Sequence, residues 1–255
     1  MPDQPIRLVT RGDDAGSSHS ANRAVRDAFE RGILRNAGVM APGHAFDEAA
    51  EMLRGAKGLC VGLHATINCE WRQLAWPPVL PARLVPRLVL PDGSLFKDTV
   101  ELWNRRPGND EVLAELKAQL EKARAAGLKI AYMDTHMGFD WFHGLADRLR
   151  AFAEAEGLFW AAEGLAALPD VGREWADPVE RFLARLQAAE PGRTYLVVGH
   201  PACDDEEMRA LSYGDEPPGK AARERDGDRR MFMDARVVDA CRARGVELLR
   251  FSDLA

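Results

Sequence analysis

Apolar residues recur with a helical period of about 3.6 over residues 21–30, 46–53, 112–125, 145–155, 179–188 and 235–243, and each stretch leads into an apolar or mixed strand candidate. Strands are expected near Ile6, Gly38, Leu59, Ile130, Leu158, Tyr195 and Glu247. Four helices run into glycine, at Gly32, Gly127, Gly157 and Gly245, where a left-handed residue would close the helix. Repeated helix–strand alternation predicts an α/β fold with a parallel sheet, and seven strands favour a barrel-like (β/α) arrangement of incomplete regularity over an open doubly wound sheet.

The alternation breaks after the strand that ends at His64. Residues 65–109 show no amphipathic helix and carry five prolines between Pro77 and Pro91. Within them, residues 88–96 read as two short strands around the Asp92-Gly93 turn. This segment is expected to be an irregular insertion or lid over the strand ends. Its tryptophans, Trp71, Trp76 and Trp103, either pack the insertion or stack on sugar rings. A second irregular run, residues 215–230, is dense in charge, proline and glycine and reads as a solvated loop.

Polar chemistry gathers where strands end. Asp13 and Asp14 follow the first strand, His64 the third, Asp134 and His136 the fourth, and His200 a later one. In a fold of parallel strands all carboxyl ends share one face, so groups far apart in sequence can meet in one site. Adjacent aspartates on a strand point to opposite sides, which would let one bind a metal while the other moves protons. Each residue also has a plainer reading. The aspartates could be the acid cluster of a helix start near Ala21, His64 a core imidazole and His200 a loop residue. His136 is the stronger ligand candidate, because Asp134 two residues earlier could fix its tautomer. His19, His44 and His143 read as surface groups or outer neighbours of the site. Imidazoles with carboxylates suit Zn²⁺, and a mixed oxygen and nitrogen set also admits Mg²⁺ or Mn²⁺.

Composition narrows the partners. The chain has 255 residues, of which 46% are hydrophobic, enough for one large core, so a single domain over 1–255 is expected. A net charge of −6 offers no basic footprint for nucleic acid. No stretch has the length and apolarity of a membrane span, the start shows no export signal, and Cys60, Cys69, Cys203 and Cys241 have no C-x-x-C spacing. A reduced cytoplasmic protein with a small neutral substrate is expected, and a homodimer is allowed for.

Several segments together carry a family resemblance. Residues 10–16 (Thr-Arg-Gly-Asp-Asp-Ala-Gly), 61–64 (Val-Gly-Leu-His), 134–136 (Asp-Thr-His), 199–201 (Gly-His-Pro) and 245–251 (Gly-Val-Glu-Leu-Leu-Arg-Phe) resemble, in order, the motifs of the YdjC-like carbohydrate deacetylases. That resemblance implies a distorted β/α barrel, one divalent metal ion (Mg²⁺ or Zn²⁺) and hydrolysis of an N-acetyl group from an amino sugar or chitooligosaccharide-like substrate. By the same likeness Asp14, His64 and His136 are metal ligands, Asp13 the general base that deprotonates the attacking water, and His200 the general acid. Asp134 stands behind the ligands.

Two features depart from the family pattern. Gly138 and Asp140 stand where the family writes further histidines after His136, and Arg11-Gly12 precede the aspartates where it writes Asn-Ala. Both changes bear on the sugar subsite, for which Trp71, Trp76 and Trp141 are the candidates. The alternatives are another metal-dependent hydrolase on this scaffold, such as a phosphoesterase, and a carbohydrate-binding relative without turnover.

Overall fold

The computed structural model describes residues 4–161, 164–172 and 177–254. Among the described residues eight strands form one sheet: β1 (Arg7–Ala15), β2 (Asn36–Val39), β3 (Cys60–Ala65), β4 (Ile130–Thr135), β5 (Phe159–Trp160), β6 (Ala166–Ala167), β7 (Thr194–Gly199) and β8 (Glu247–Leu249). Their order is β5-β4-β3-β2-β1-β7-β6, with β8 paired to β1, and each of these pairings is parallel. No ladder joins β5 to β6 among the described residues, so the sheet curls into an incomplete barrel, as expected. The strand β6 was not expected; two alanines give no periodic signal.

Helices α1 (His19–Arg31), α2 (Phe46–Gly55), α4 (Asn109–Ala125), α5 (Ala146–Ala155), α6 (Pro178–Gln187) and α9 (Ala235–Ala243) stand where the apolar period predicts them. Three more were not expected: α3 (Thr99–Asn104), α7 (Glu206–Arg209) and α8 (Lys220–Met233). The last overturns the solvated-loop reading of residues 215–230. Its charged residues are good helix formers that pair along the helix, with Lys220 to Glu224 and Arg230 to Asp226 four apart, while Ala221, Ala222 and Phe232 are buried.

The glycine stops are only partly as expected. Gly127, Gly157 and Gly245 have positive φ, whereas Gly32 has φ −129°. Gly32 is needed for space instead: a Cβ there would lie 2.2 Å from the Phe232 carbonyl oxygen.

Strand alternation sorts side chains into two environments. Leu8, Val61 and Leu63 face the helical layer, while Val9, Cys60 and Tyr132 meet Phe251 inside the curl. The Tyr132 and Phe251 rings are 4.4 Å apart and floor the barrel. Gly62 makes this possible, since a Cβ there would fall 2.3 Å from the Tyr132 ring. Further along the same inward face stand Arg11 and Asp134, two residues past Val9 and Tyr132, and His64, four past Cys60. Apolar packing below thus hands over to titratable groups at the carboxyl ends.

The insertion packs rather than dangles. Leu88, Leu95, Phe96 and Leu102 are buried with α4 and α5 residues. The Asp-Gly turn is present, with Leu90 N–H donating to the Ser94 carbonyl, but the two expected strands reduce to a single antiparallel bridge between Val89 and Leu95. Among the described residues no helix is long and apolar enough to cross a membrane.

Candidate active site

The end of β1 is bent by a bulge. Gly12 and Ala15 oppose Ala37 and Val39 of β2, three steps against two, and Asp14 inside the bulge has φ 68°. An extra residue re-aims the side chains around it, and a left-handed non-glycine residue is tolerated best by Asp or Asn. Asp13 and Asp14 therefore do not point to opposite sides as a regular strand would require. Both approach His64, Asp13 in one cluster with Asp134 and Asp14 in another with His136.

Asp14, His64 and His136, the three expected ligands, are brought together. Asp14 Oδ1 lies 3.3 Å from His64 Nε2 and 3.4 Å from His136 Nδ1, and the two ring nitrogens are 3.3 Å apart. All three residues are buried. Asp14 Oδ1 makes no hydrogen bond of acceptable geometry. Ligand atoms around a tetrahedral ion with bonds of 2.0–2.2 Å are separated by about 3.3–3.6 Å, so this donor set fits a divalent cation.

Each imidazole is oriented from behind by a carboxylate, which can only accept. His64 Nδ1–H donates to Asp134 Oδ2 at 2.9 Å, and His136 Nε2–H donates to Glu70 Oε2 at 2.9 Å. The other nitrogen of each ring is thereby turned toward Asp14. Asp134 thus serves His64, not its near neighbour His136 as the sequence suggests. His136 instead takes Glu70 from the insertion, because the chain turns sharply after it, with φ 53° at Met137 and 59° at Gly138.

Two arginines complete the arrangement, Arg11 buried and Arg225 partly exposed to the cavity. Arg11 donates to Asp13 Oδ2 at 2.8 Å and lies 3.0 Å from Asp134 Oδ2. Arg225 of α8 donates to Asp14 Oδ2, lies 3.5 Å from Glu70 Oε1 and sits 4.7 Å over the Trp71 ring. Asp13, Asp14, Glu70 and Asp134 contribute four negative charges and the arginines two positive ones. The balance suits one divalent ion with neutral imidazoles.

Burial disfavours charge on His136, but Glu70 and Asp14 outweigh it and push its pKa up to about 9. His64 is raised well above its ordinary value in the same way, burial being overcome by Asp134 and Asp13. Burial likewise opposes ionisation of Asp14, which Arg225 and the two imidazoles nevertheless hold well below the carboxylate range.

A cavity of about 370 Å³ opens over the triad, lined in part by Asp14, His136, His200, Trp71, Tyr213 and Arg225. His200 is on its wall; its backbone N–H donates to Asp228 Oδ2 at 2.8 Å, and its Nδ1 lies 3.9 Å from the same oxygen. Asp13 lies behind the triad, with Oδ1 buried and unpartnered.

The tryptophans divide. Trp71 touches the cavity, but Arg225 covers a face of its ring. Trp76, 1% exposed, is sealed against residues such as Cys69 and Met208 and is a packing residue, so the sugar-stacking expectation for it is corrected. Trp141, half-exposed, lies against Trp103 and Phe142 away from the cavity lining, and it too is not placed to form the expected subsite.

Glu70, Arg225, Asp228 and Tyr213 escaped the sequence reading. Glu70 left one trace, a lone carboxylate within the otherwise uncharged run 65–71; Arg225 and Asp228 lie in the run read as a solvated loop, and Tyr213 just before it. The exposed His19 and His44 and the half-buried Glu207 also lie within ligand distance of one another, but Glu207 already accepts from the Ser20 backbone at the start of α1.

Comparison with known proteins agrees with the motif order. The family model described as YdjC-like protein matches residues 7–243. A carbohydrate deacetylase of Listeria welshimeri is 28% identical over 228 residues, covering 83% of this chain and 88% of that protein. A carbohydrate deacetylase of Geobacillus stearothermophilus is 25% identical over 258 residues and 98% of both chains. Among solved structures, an Enterococcus faecalis V583 protein provisionally described as a cellobiose-phosphate cleavage protein superposes with TM-score 0.75 at 20% identity, over 99% of this chain and 100% of that one. A peptidoglycan N-acetylglucosamine deacetylase superposes with TM-score 0.52 at 10% identity, over 97% and 86%. These two likenesses are of fold.

Proposed function

Because the chain belongs to the YdjC-like family, we propose that it is a metal-dependent deacetylase removing the N-acetyl group from an amino sugar or a short chitooligosaccharide-like substrate. The observation that carries this reading is the meeting of Asp14 Oδ1, His64 Nε2 and His136 Nδ1 beneath a cavity that has His200 on its wall. The names of the curated relatives point the same way.

Asp14, His64 and His136 would hold the ion. When bound, a divalent cation supplies Lewis acidity toward a carbonyl oxygen and lowers the pKa of water. Asp13, whose Oδ1 is buried and unpartnered, would accept the proton of the attacking water, with Arg11 bound to its Oδ2. His200 delivers a proton from Nε2, the nitrogen away from Asp228, to the departing amine. That step answers a real barrier, since an unprotonated amide nitrogen is a very poor leaving group. Asp228 holds the backbone at His200 and so sets where its ring stands. Tyr213, at the cavity mouth and 38% exposed, offers an aromatic face to a sugar.

The cavity wall also bears Glu216, Glu224 and Asp228. That lining opposes a phosphate dianion and counts against phosphoesterase chemistry. The deciding experiment is acetate release from a panel of N-acetylated mono- and oligosaccharides, with and without chelator. Chelator-sensitive release supports the proposal; no release from any member, with phosphate esters cleaved instead, overturns it.

A further inference from the structure

Arg225 stands in an unusual place for a cation, largely shielded from solvent beside a site built to receive another one. Its guanidinium donates to Asp14 Oδ2 through Nη1 and reaches toward Glu70 Oε1 with Nη2, and its planar face lies 4.7 Å over the Trp71 ring. The two carboxylates it spans are tied to the same imidazole. Asp14 Oδ1 is 3.4 Å from His136 Nδ1, and Glu70 Oε2 is 2.9 Å from His136 Nε2.

We propose that Arg225 and Glu70 are positioning residues for the metal ligands: Arg225 holds Asp14 so that Oδ1 faces the two imidazoles, and through Glu70 it fixes the ring of His136. The inference rests on the metal reading above. A planar fork is suited to this task, since it places two donors at fixed separation on two acceptors, which a lysine ammonium cannot do. The arrangement mirrors the other half of the site. There Arg11 contacts Asp13 and Asp134, and Asp134 in turn orients His64. Each histidine ligand thus has a carboxylate behind it and an arginine behind the carboxylate.

Arg225 is held from several sides, as positioning demands. The Ala202 N–H donates to its carbonyl, tying α8 to the segment that carries His200. Trp71 is itself fixed by an antiparallel bridge to Tyr213.

The sign of one measurement separates positioning from bulk electrostatics. Removing a positive charge beside a cation site should tighten metal binding if only Coulomb attraction matters. If Arg225 positions ligands, its removal should weaken binding, by ~10–100-fold as for other groups that orient metal ligands. The experiment is calorimetric titration of chelator-stripped protein with Zn²⁺ and with Mn²⁺, for wild type, Arg225→Met, Arg225→Lys, Glu70→Gln and the Arg225→Met/Glu70→Gln double variant. Thermal melts of the metal-free proteins serve as the fold control.

Weaker binding in Arg225→Met, a smaller loss in Arg225→Lys, and a double variant costing less than the sum of its parts are expected. Should Arg225→Met not fold, Arg225→Lys decides, because it keeps the charge and loses the fork. Unchanged or tighter binding in either arginine variant, with wild type binding normally, overturns the positioning role alone. A wild type that binds neither ion overturns the metal reading with it.

Discussion

His64 and Asp134 are partners in the parallel ladder between β3 and β4, and the same register that pairs their backbones puts Asp134 Oδ2 2.9 Å from His64 Nδ1. The carboxylate decides which nitrogen of the imidazole is left for an ion. Asp134→Ala is expected to weaken divalent metal binding by ~10–100-fold without removing a ligand. Isothermal titration with Zn²⁺ checks this, and wild-type affinity in the variant would take Asp134 out of the site.

His136→Ala removes a ligand outright. Stoichiometric metal should be lost while far-UV circular dichroism stays near wild type, because the barrel core lies below the site and does not depend on an ion as a small zinc domain does. Metal content by mass spectrometry after gel filtration is the measurement; retention at wild-type stoichiometry sinks the assignment.

The raised histidines predict how binding depends on pH. The pKa of His136 is pushed up to about 9 by Glu70 and Asp14 and that of His64 is raised as well, so protons compete with an ion for these nitrogens near pH 7. Binding should release protons near pH 7 and weaken as pH falls. Calorimetry in buffers of different ionisation enthalpy counts them, and no proton release would contradict the site as described.

The same shift acts on stability. A pKa raised above the unfolded value of about 6.5 means that folded protein binds the proton more tightly, so this contribution is full below pH 6.5 and is lost as pH rises through about 9. The metal-free protein should melt at lower temperature at pH 9.5 than at pH 6.5. Saturating metal should reduce that difference, and equal melting temperatures in chelator would count against it.

Asp13→Asn keeps size while removing the proton acceptor. Turnover should fall by ~10²-fold or more with metal content unchanged. A near-normal kcat would move the base role elsewhere.

Trp76 and Tyr213 should respond in opposite ways. Trp76→Ala opens a hole in a sealed cluster and should cost ~3–5 kcal/mol of stability with little effect on KM in whatever remains folded. Tyr213→Ala should raise KM for acetylated oligosaccharides with kcat changed less. Chemical denaturation and steady-state kinetics on both variants distinguish the two, and the reverse pattern would return Trp76 to the subsite.

The sequence by itself determined the periodic and local features. Six amphipathic helices, the parallel strands and the placing of Asp13, Asp14, His64, Asp134 and His136 at strand ends come from side-chain period and chain direction, because the carboxyl ends of parallel strands share one face. Tertiary structure alone decided which of these groups face one another. A bulge with Asp14 at φ 68° undid the alternation of the two aspartates, and no pattern in residues 7–15 announces it. Asp134 found His64 across the ladder instead of His136 along the chain, since parallel pairing brings side chains of adjacent strands closer than a turn after the strand allows. Arg225 was hidden because a helix whose exposed face is nearly all charge, and whose buried face is mainly alanine and glycine, has almost no apolar period to read. Its partner Asp14 lies more than two hundred residues away, a contact that only the closing of the fold creates.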